Sequence, residues 1–339
     1  MRILITGVTG MTGSHLAEYL IDKEGLEIYG TYRWRSRMDN LDSLRESGRL
    51  NINAGDVSIT PRNRSNSSKL SLLEADITDP FSMKQLIATV KPDRIFHLAA
   101  QSYVPASWGA PAETLDTNII GTVNLLESVR AAEIDPIIHV AGSSEEYGYV
   151  MPNELPIKET NPFRPLSPYG VSKVAQEMLA YQYFMSYGLK TITTRAFNHE
   201  GPRRGDVFVT SSFAKQVAEI EKGLRDPVIY VGDISKKRDW SDVRDLVKAY
   251  WLAVEHCTPG EVYNIGSGVA REVREMLDIF LNMTDAKIDI EVHPARLRPS
   301  DPDTLLCDAT KFQKVTGWQP QIPFEKTLKD LLDYWQERV

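Results

Sequence analysis

Short apolar runs at Arg2 to Thr6, Glu27 to Thr31, Leu70 to Ala75, Arg94 to Ala99, Pro136 to Ala141 and Thr191 to Arg195 alternate with helical patterns through the first half of the chain. That alternation constrains the architecture more than any other feature. Each connection is long enough for a crossover, which places successive strands parallel in one sheet rather than in hairpins. The helical candidates are Thr12 to Asp22, Phe81 to Val90, Glu113 to Glu133 and Tyr169 to Tyr187, each with apolar residues at three and four spacing. They should cover both faces of the sheet. The segment from Arg37 to Lys69 breaks the pattern, being rich in Arg, Asn and Ser, and is predicted to be a long surface loop.

After Asn198 the alternation loosens, with Gly, Pro and Arg at 201 to 205, a helix near Val209 to Lys222, and prolines at 294, 299 and 302. A helix at Asp242 to Glu255 and a strand at Val262 to Ile265 would return to the first sheet. Helices at Arg271 to Asn282 and Pro323 to Arg338 belong to a smaller part, the last amphipathic through Leu328, Leu331, Leu332 and Trp335. The fold class is therefore α/β, a doubly wound parallel sheet with a smaller interleaved α/β substrate domain. Residues 1–198 plus about 236–266 are assigned to the first domain, and about 199–235 plus 267–339 to the second.

A chain of 339 residues, 42% hydrophobic, can bury a sizeable core. Its net charge of −7 argues against a nucleic-acid or anionic-membrane partner, while leaving room for a local basic pocket. Cys257 and Cys307 are too few for a disulfide framework, which fits a reducing, cytoplasmic location. No His, Cys and carboxylate cluster has metal-ligand spacing, His293 being isolated before Pro294, so no metal is expected. Met1 leads straight into Ile3-Leu4-Ile5 and no run approaches the ~20 apolar residues of a membrane span. A soluble, unprocessed protein is the expectation.

Two motifs carry chemistry. Gly7-Val8-Thr9-Gly10-Met11-Thr12-Gly13 follows the first strand and opens the first helix, where glycine lets backbone approach a pyrophosphate and the helix start offers free N–H groups. At the end of the second strand stands Thr31-Tyr32-Arg33-Trp34-Arg35-Ser36. Arginine there accommodates a ribose 2′-phosphate, so NADP is the expected cofactor, with Arg33 the leading contact and Arg35 second. The other motif is Tyr169-x-x-x-Lys173 with Ser143 and Glu145 upstream. An ammonium one helical turn from a phenol should lower its pKa from about 10 toward a usable base. Glu145, on the same side of an extended strand as Ser143, could face the same sugar.

Together with Asp76-Ile77, Leu98-Ala99-Ala100-Gln101-Ser102 and the whole-chain order of elements, these motifs resemble the extended short-chain dehydrogenase/reductases. The fold so implied is Rossmann-type. Within that group, Phe197 to Gly205 (FNHEGPRRG) and Arg238-Asp239-Trp240 resemble the GDP-mannose 4,6-dehydratases. Ser143 to Gly148 and Arg298-Pro299-Ser300 resemble equally the sister GDP-4-keto-6-deoxymannose reductases. The resemblance implies that Asp76 and Ile77 hold the adenine, that Leu98 to Gln101 line the dinucleotide, and that His199 and Arg204 lie by the cofactor. It implies a catalytic set of Ser143, Glu145, Tyr169 and Lys173. It further implies a GDP-sugar substrate near Ser102 and Asn198, with Arg238, Arg298 and, more weakly, Lys215 as diphosphate clamps. Asp76 could instead cap the following turn, and His199 could be a core histidine. A 4,6-dehydratase is the leading activity, a 4-reductase the alternative and a non-catalytic NADP sensor a distant third. The long basic loop after the second strand resembles an oligomer-bridging arm, and a homodimer or homotetramer is expected.

Overall fold

The computed structural model describes residues 1–52, 69–297 and 302–339. Among them one sheet holds β1 (Arg2–Thr6), β2 (Glu27–Tyr32), β3 (Leu50–Ile52), β4 (Leu70–Glu74), β5 (Arg94–His97), β6 (Ile137–Ser143), β7 (Lys190–Ala196) and, arriving late in the chain, β11 (Val262–Ile265). The order across the sheet is β11-β7-β6-β5-β1-β2-β4-β3. Every pairing is parallel. The chain winds outward from β1 in both directions, so the crossovers diverge between β1 and β5 and leave a crevice at the carboxyl ends of those strands.

Side chains alternate across β1. Ile3 and Ile5 pack with the helices Met11–Ile21 and Val243–His256 on one face. Leu4 packs on the other with the helices Pro80–Val90, Gly121–Ala131 and Pro168–Tyr187. Local chemistry sets where these helices start. Asp79 caps the N–H groups of Phe81 and Ser82 ahead of Pro80, and Ser167 caps Gly170 ahead of Pro168. Gly188, at φ +72°, ends the long helix.

In the smaller part, β10 (Lys237–Asp242) pairs with β8 (Asn198–Glu200), antiparallel with β12 (Ala270–Glu272), and parallel with β14 (Thr304–Leu305). A separate parallel pair joins β9 (Val228–Val231) to β13 (Asp289–Val292). Helices Val209–Glu221, Val273–Leu281 and Phe324–Gln336 close a second core around Phe213, Met276, Phe280, Leu328 and Leu331.

Two sequence-based expectations need correction. The stretch after Arg37 is not all loop: Asp39–Leu41 and Asp42–Glu46 are helical and Leu50–Ile52 forms the edge strand β3. Leu41 and Leu44, three apart, are buried in the main core, which holds this polar segment down. The remainder of the expected loop, 53–68, lies outside the described residues. The helix expected from Glu113 to Glu133 is broken. It runs as Pro111–Leu115, a π-helical stretch Asp116–Ile120, and Gly121–Ala131. The wide turn brings Asn118 beside the segment that follows β5, where it exchanges hydrogen bonds with the Gln101 backbone at 2.8 and 3.0 Å and donates to Ser172 at 2.9 Å.

Candidate active site

The crevice beside β1 and β5 opens into a cleft of about 1670 Å³ that continues onto the smaller part. That exceeds the roughly 300–1,000 Å³ of a pocket for one drug-sized ligand, and two adjacent ligands would fill it.

Its floor is the glycine turn. Gly7 sits at φ +72°, and a Cβ there would stand 2.8 Å from the Ala99 Cα. A Cβ on Gly13 would stand 2.4 Å from the Gly7 carbonyl oxygen, whereas one on Gly10 meets protein only at 3.4 Å and otherwise faces the cleft. Gly10 caps helix Met11–Ile21 without a side-chain hydrogen bond, and no acidic residue occupies the first turn. The uncapped N–H groups and positive dipole end suit an anion, so a dinucleotide pyrophosphate fits this cradle. Thr9, Met11 and Thr12 line the same wall. Asn40 holds the turn in place, its amide donating to the Thr9 carbonyl at 2.9 Å.

At the end of β2, Arg33 and Arg35 are exposed and line the cleft, with the Arg35 guanidinium 4.6 Å over the Trp34 ring. Asp76 and Ile77 border the cleft after β4. The Asp76 carboxylate also accepts from the Thr78 N–H and hydroxyl at 3.0 and 2.9 Å, so it closes a turn while facing the cleft. Leu98, Ala99, Ala100 and Gln101 lie along the wall after β5, where the Thr6 hydroxyl accepts the N–H groups of Leu98 and Ala99.

Ser143 ends β6, Tyr169 and Lys173 stand one turn apart on helix Pro168–Tyr187, and all three reach the cleft with Glu145. The Ser143 hydroxyl stands near enough to the Tyr169 phenol to favour its ionised form, and the Glu145 carboxylate opposes it as a nearby negative charge. Glu145 does not lie on an extended strand. It belongs to the 3-10 turn Ser144–Glu146, capped by Ser143, whose Oγ accepts the Glu145 N–H at 3.2 Å. The turn bends the chain so that the side chain after the strand end still faces the cleft.

The expected acidification of Tyr169 by Lys173 is reversed in the protein alone. Burial pushes the phenol well above its ordinary value, aided by Glu145 and Glu146 and opposed by Ser143 and Arg204. Lys173 Nζ donates to the Ala141 carbonyl at 2.8 Å and stands 5.8 Å from the Tyr169 ring centre. Burial lowers the ammonium to about 8, with Glu146 resisting. Desolvation of the phenolate outweighs one cation at that range.

His199 Nδ1 faces the Phe197 carbonyl at 3.1 Å and Nε2 faces the Thr12 hydroxyl at 3.3 Å, tying β8 to the glycine turn. Burial, then Arg204, lowers its pKa to about 4, so the ring is neutral near pH 7. Arg204 stacks on Phe208 at 3.6 Å and pairs with buried Glu200 at 3.4 Å. Ser102, Asn198 and buried Arg238 also line the cleft. Lys215 does not: its Nζ is held by Asp206 at 2.6 Å, with Glu219 at 3.9 Å, and lies over Trp335 outside the lining. Arg298 lies outside the described residues. The sequence reading missed Arg296, which lines the cleft and donates to Ser212 at 3.2 Å, and Tyr103 and Phe208, whose rings meet edge to face at 5.5 Å. The basic Arg296-Leu297-Arg298 triplet was the available signal for the first.

The sequence model of the GDP-mannose 4,6 dehydratase family matches residues 4–331. The chain is 37% identical to GDP-mannose 4,6 dehydratase 2 of Arabidopsis thaliana over 97% of its length and 85% of the relative's. It is 35% identical to the GDP-6-deoxy-D-mannose reductase of Pseudomonas aeruginosa over 78% of its length and 86% of that protein's. Among solved structures, RMD from Pseudomonas aeruginosa complexed with NADPH superposes with a TM-score of 0.81 at 30% identity, covering 100% of this chain and 99% of that one.

Proposed function

The chain belongs to the GDP-mannose 4,6-dehydratase family, and from that premise we propose that it converts GDP-mannose, or a related GDP-sugar such as a GDP-heptose, to the 4-keto-6-deoxy sugar with NADP bound. The observation that carries this reading is the Glu145 carboxylate set against the Tyr169 phenol in the same corner as Ser143. Once C4 is a ketone, the C5 proton is acidic, and a carboxylate in that corner can take it as the C6 hydroxyl departs as water. Dehydration requires that carboxylate, which the Ser143 to Gly148 stretch shares with the sister reductases, so Glu145 is necessary to this reading and turnover is what separates the two.

When bound, a nicotinamide dinucleotide would accept the hydride from C4 and return it to C6 once water has left, with a proton going back to C5, so that the cofactor is regenerated within each turnover. In this reading Gly7, Gly10 and Gly13 let the turn from Thr9 to Thr12 receive the pyrophosphate, and Arg33 and Arg35 select the 2′-phosphate of NADP. Asp76 and Ile77 border the adenine, Leu98 to Gln101 the dinucleotide, and His199 and Arg204 its nicotinamide half. Ser143 Oγ and Tyr169 Oη hold the C4 oxygen, and Tyr169 carries the proton that leaves it. Lys173, anchored on Ala141, keeps a positive charge under the phenol at neutral pH. Ser102, Asn198 and Arg238, from the larger unit, and Arg296, from the smaller unit made of about 199–235 and 267–339, receive the GDP-sugar.

The two free cysteines, both buried, fit a cytoplasmic enzyme. Among the described residues no helix is long and apolar enough to cross a membrane. Helix Pro168–Tyr187 presents Val171, Met178, Tyr181 and Met185 outward, 44–62% exposed. We take this stripe as a contact between subunits of a homo-oligomer.

The test is direct. Purified protein given GDP-mannose and no added cofactor should release a 4-keto sugar, and Glu145→Gln should cut the rate about 10²- to 10⁴-fold. Turnover that demands a 4-keto substrate and stoichiometric NADPH, and that survives Glu145→Gln, would install the reductase reading, which the 35% identity to the Pseudomonas reductase favours.

A further inference from the structure

Behind the catalytic corner lies a second carboxyl group that the proposed chemistry does not use. Glu146 is fully buried, and its Oε1 accepts the Ser143 N–H at 2.7 Å. This completes the cap in which Ser143 Oγ accepts the Glu145 N–H. A Cβ on Gly142 would come within 2.6 Å of that Oε1, so glycine there leaves room for the carboxyl to fold back under the strand end. Its other oxygen faces Arg195 Nε at 3.5 Å.

Arg195, on β7, is already engaged. It binds Glu177 through Nε at 2.8 Å and Nη2 at 2.5 Å, and its Nη1 donates to the Tyr147 hydroxyl at 2.7 Å and the Glu159 carbonyl at 3.0 Å. Tyr147 in turn donates to Asn264 on β11 at 2.7 Å. One guanidinium matched to one carboxylate leaves a second buried carboxylate uncompensated, a costly arrangement. A further cation is at hand. The groups facing Glu146 are Tyr169, Lys173 and Glu177 from helix Pro168–Tyr187, Arg195 from β7, and Tyr147 from its own turn. Lys173 Nζ rests on the Ala141 carbonyl, next to the Gly142 against which Glu146 Oε1 folds; burial and Glu177 raise the Glu146 carboxyl, while Arg195 and the Ser143 N–H favour its ionised form.

We propose that Glu146 is a positioning residue, pinning the Ser143–Glu145 turn beside Tyr169 and standing as the buried counter-charge of Lys173. The two roles are separable. Glutamine at 146 still offers an oxygen to the Ser143 N–H but carries no charge, and leucine offers neither. The inference rests on the roles given above to Ser143, Glu145 and Lys173, but one of its readouts needs no turnover.

The experiment follows the Lys173 ammonium by NMR in protein labelled with 13C-lysine, its signal identified by loss in Lys173→Arg, across a pH titration. Both Glu146→Gln and Glu146→Leu should move the Lys173 midpoint down by about one unit, the scale of losing one close opposite charge. In parallel, Glu146→Leu should lower kcat on GDP-mannose roughly 10- to 100-fold with KM little changed, as expected for a displaced catalytic turn. Glu146→Gln should recover most of that loss on the acid side of its own Lys173 midpoint. An unmoved Lys173 midpoint in both variants, or a kcat in Glu146→Leu equal to wild type, would overturn the proposal. Wild-type protein inert toward GDP-mannose, with the Lys173 shift still present, would sink the dehydratase reading and leave the counter-charge standing.

Discussion

Gly10 and Gly13 share one turn yet answer to different constraints. Gly13 is walled in by backbone, since any Cβ would press within 2.4 Å of the Gly7 oxygen and 2.7 Å of the Val8 Cα. Gly10 meets only ordinary contact on the protein side. Gly13→Ala should therefore lower the thermal midpoint, because backbone cannot step aside as a flexible side chain can. Gly10→Ala should leave the midpoint within a degree or two while weakening NADP binding at least tenfold, since its methyl would stand where the pyrophosphate approaches the helix start. Titration calorimetry alongside thermal melts checks the pair, and equal NADP affinity in wild type and Gly10→Ala would remove the turn from the cofactor site. Residue identity and spacing made these glycines legible, because the constraint is local to one turn. Tyr169 was different: its partners were readable from the i, i+4 spacing, but the direction of its pKa shift was not. Burial of the phenol is set by what packs over it, and here it overrides the lysine.

Helix Pro168–Tyr187 does two jobs on two faces. Its inner face carries Tyr169 and Lys173 to the cleft and Ala180 and Tyr183 into the core. Its outer face lines up Val171, Met178 and Met185, spaced by seven and exposed. Joint substitution Met178→Glu and Met185→Glu should shift the protein to a smaller assembly in light scattering without loss of helix in circular dichroism, because like charges would face each other across a two-fold contact. An unchanged mass would exclude this face as the subunit contact. Long periodic helices such as this one were visible in the sequence to within a residue or two. The π-helical stretch at Asp116–Ile120 was not, since its cause is Asn118 reaching residues 17 and 54 positions away. The short strands β8, β10 and β12 were missed as well, being polar and lacking alternation, and they are held by pairing with each other rather than by their own propensity.

Across the whole molecule, buried imidazoles tie stability to pH. Burial lowers His97 and His139 to about 3, and His15 and His199 to about 4, from an ordinary value of 6.5. Between those limits the unfolded chain binds more protons than the native one, so stability is complete above pH 6.5 and falls as pH drops through the window. Three raised carboxyls, Glu146, Glu200 and Asp239, act in the opposite sense above their ordinary values and are outnumbered by the four imidazoles. The thermal midpoint should fall steadily from pH 7 to pH 5, with net proton uptake on unfolding measurable by calorimetry in buffers of different ionisation enthalpy. A midpoint flat over that range would contradict neutral burial of these rings.

The alternation of the main strands and helices, the parallel sheet, the glycine turn and the Tyr169-x-x-x-Lys173 spacing were legible in the sequence alone, because each depends on periodicity or on spacing within a few residues. Tertiary structure decided the rest: that the Lys215 ammonium is taken up by Asp206, that Arg296 enters the cleft, that the phenol is raised rather than lowered, and that Glu146 faces Arg195 and Lys173 across three elements. Electrostatic energies depend on distance and burial in three dimensions, and neither is encoded in the interval between two residues along a chain.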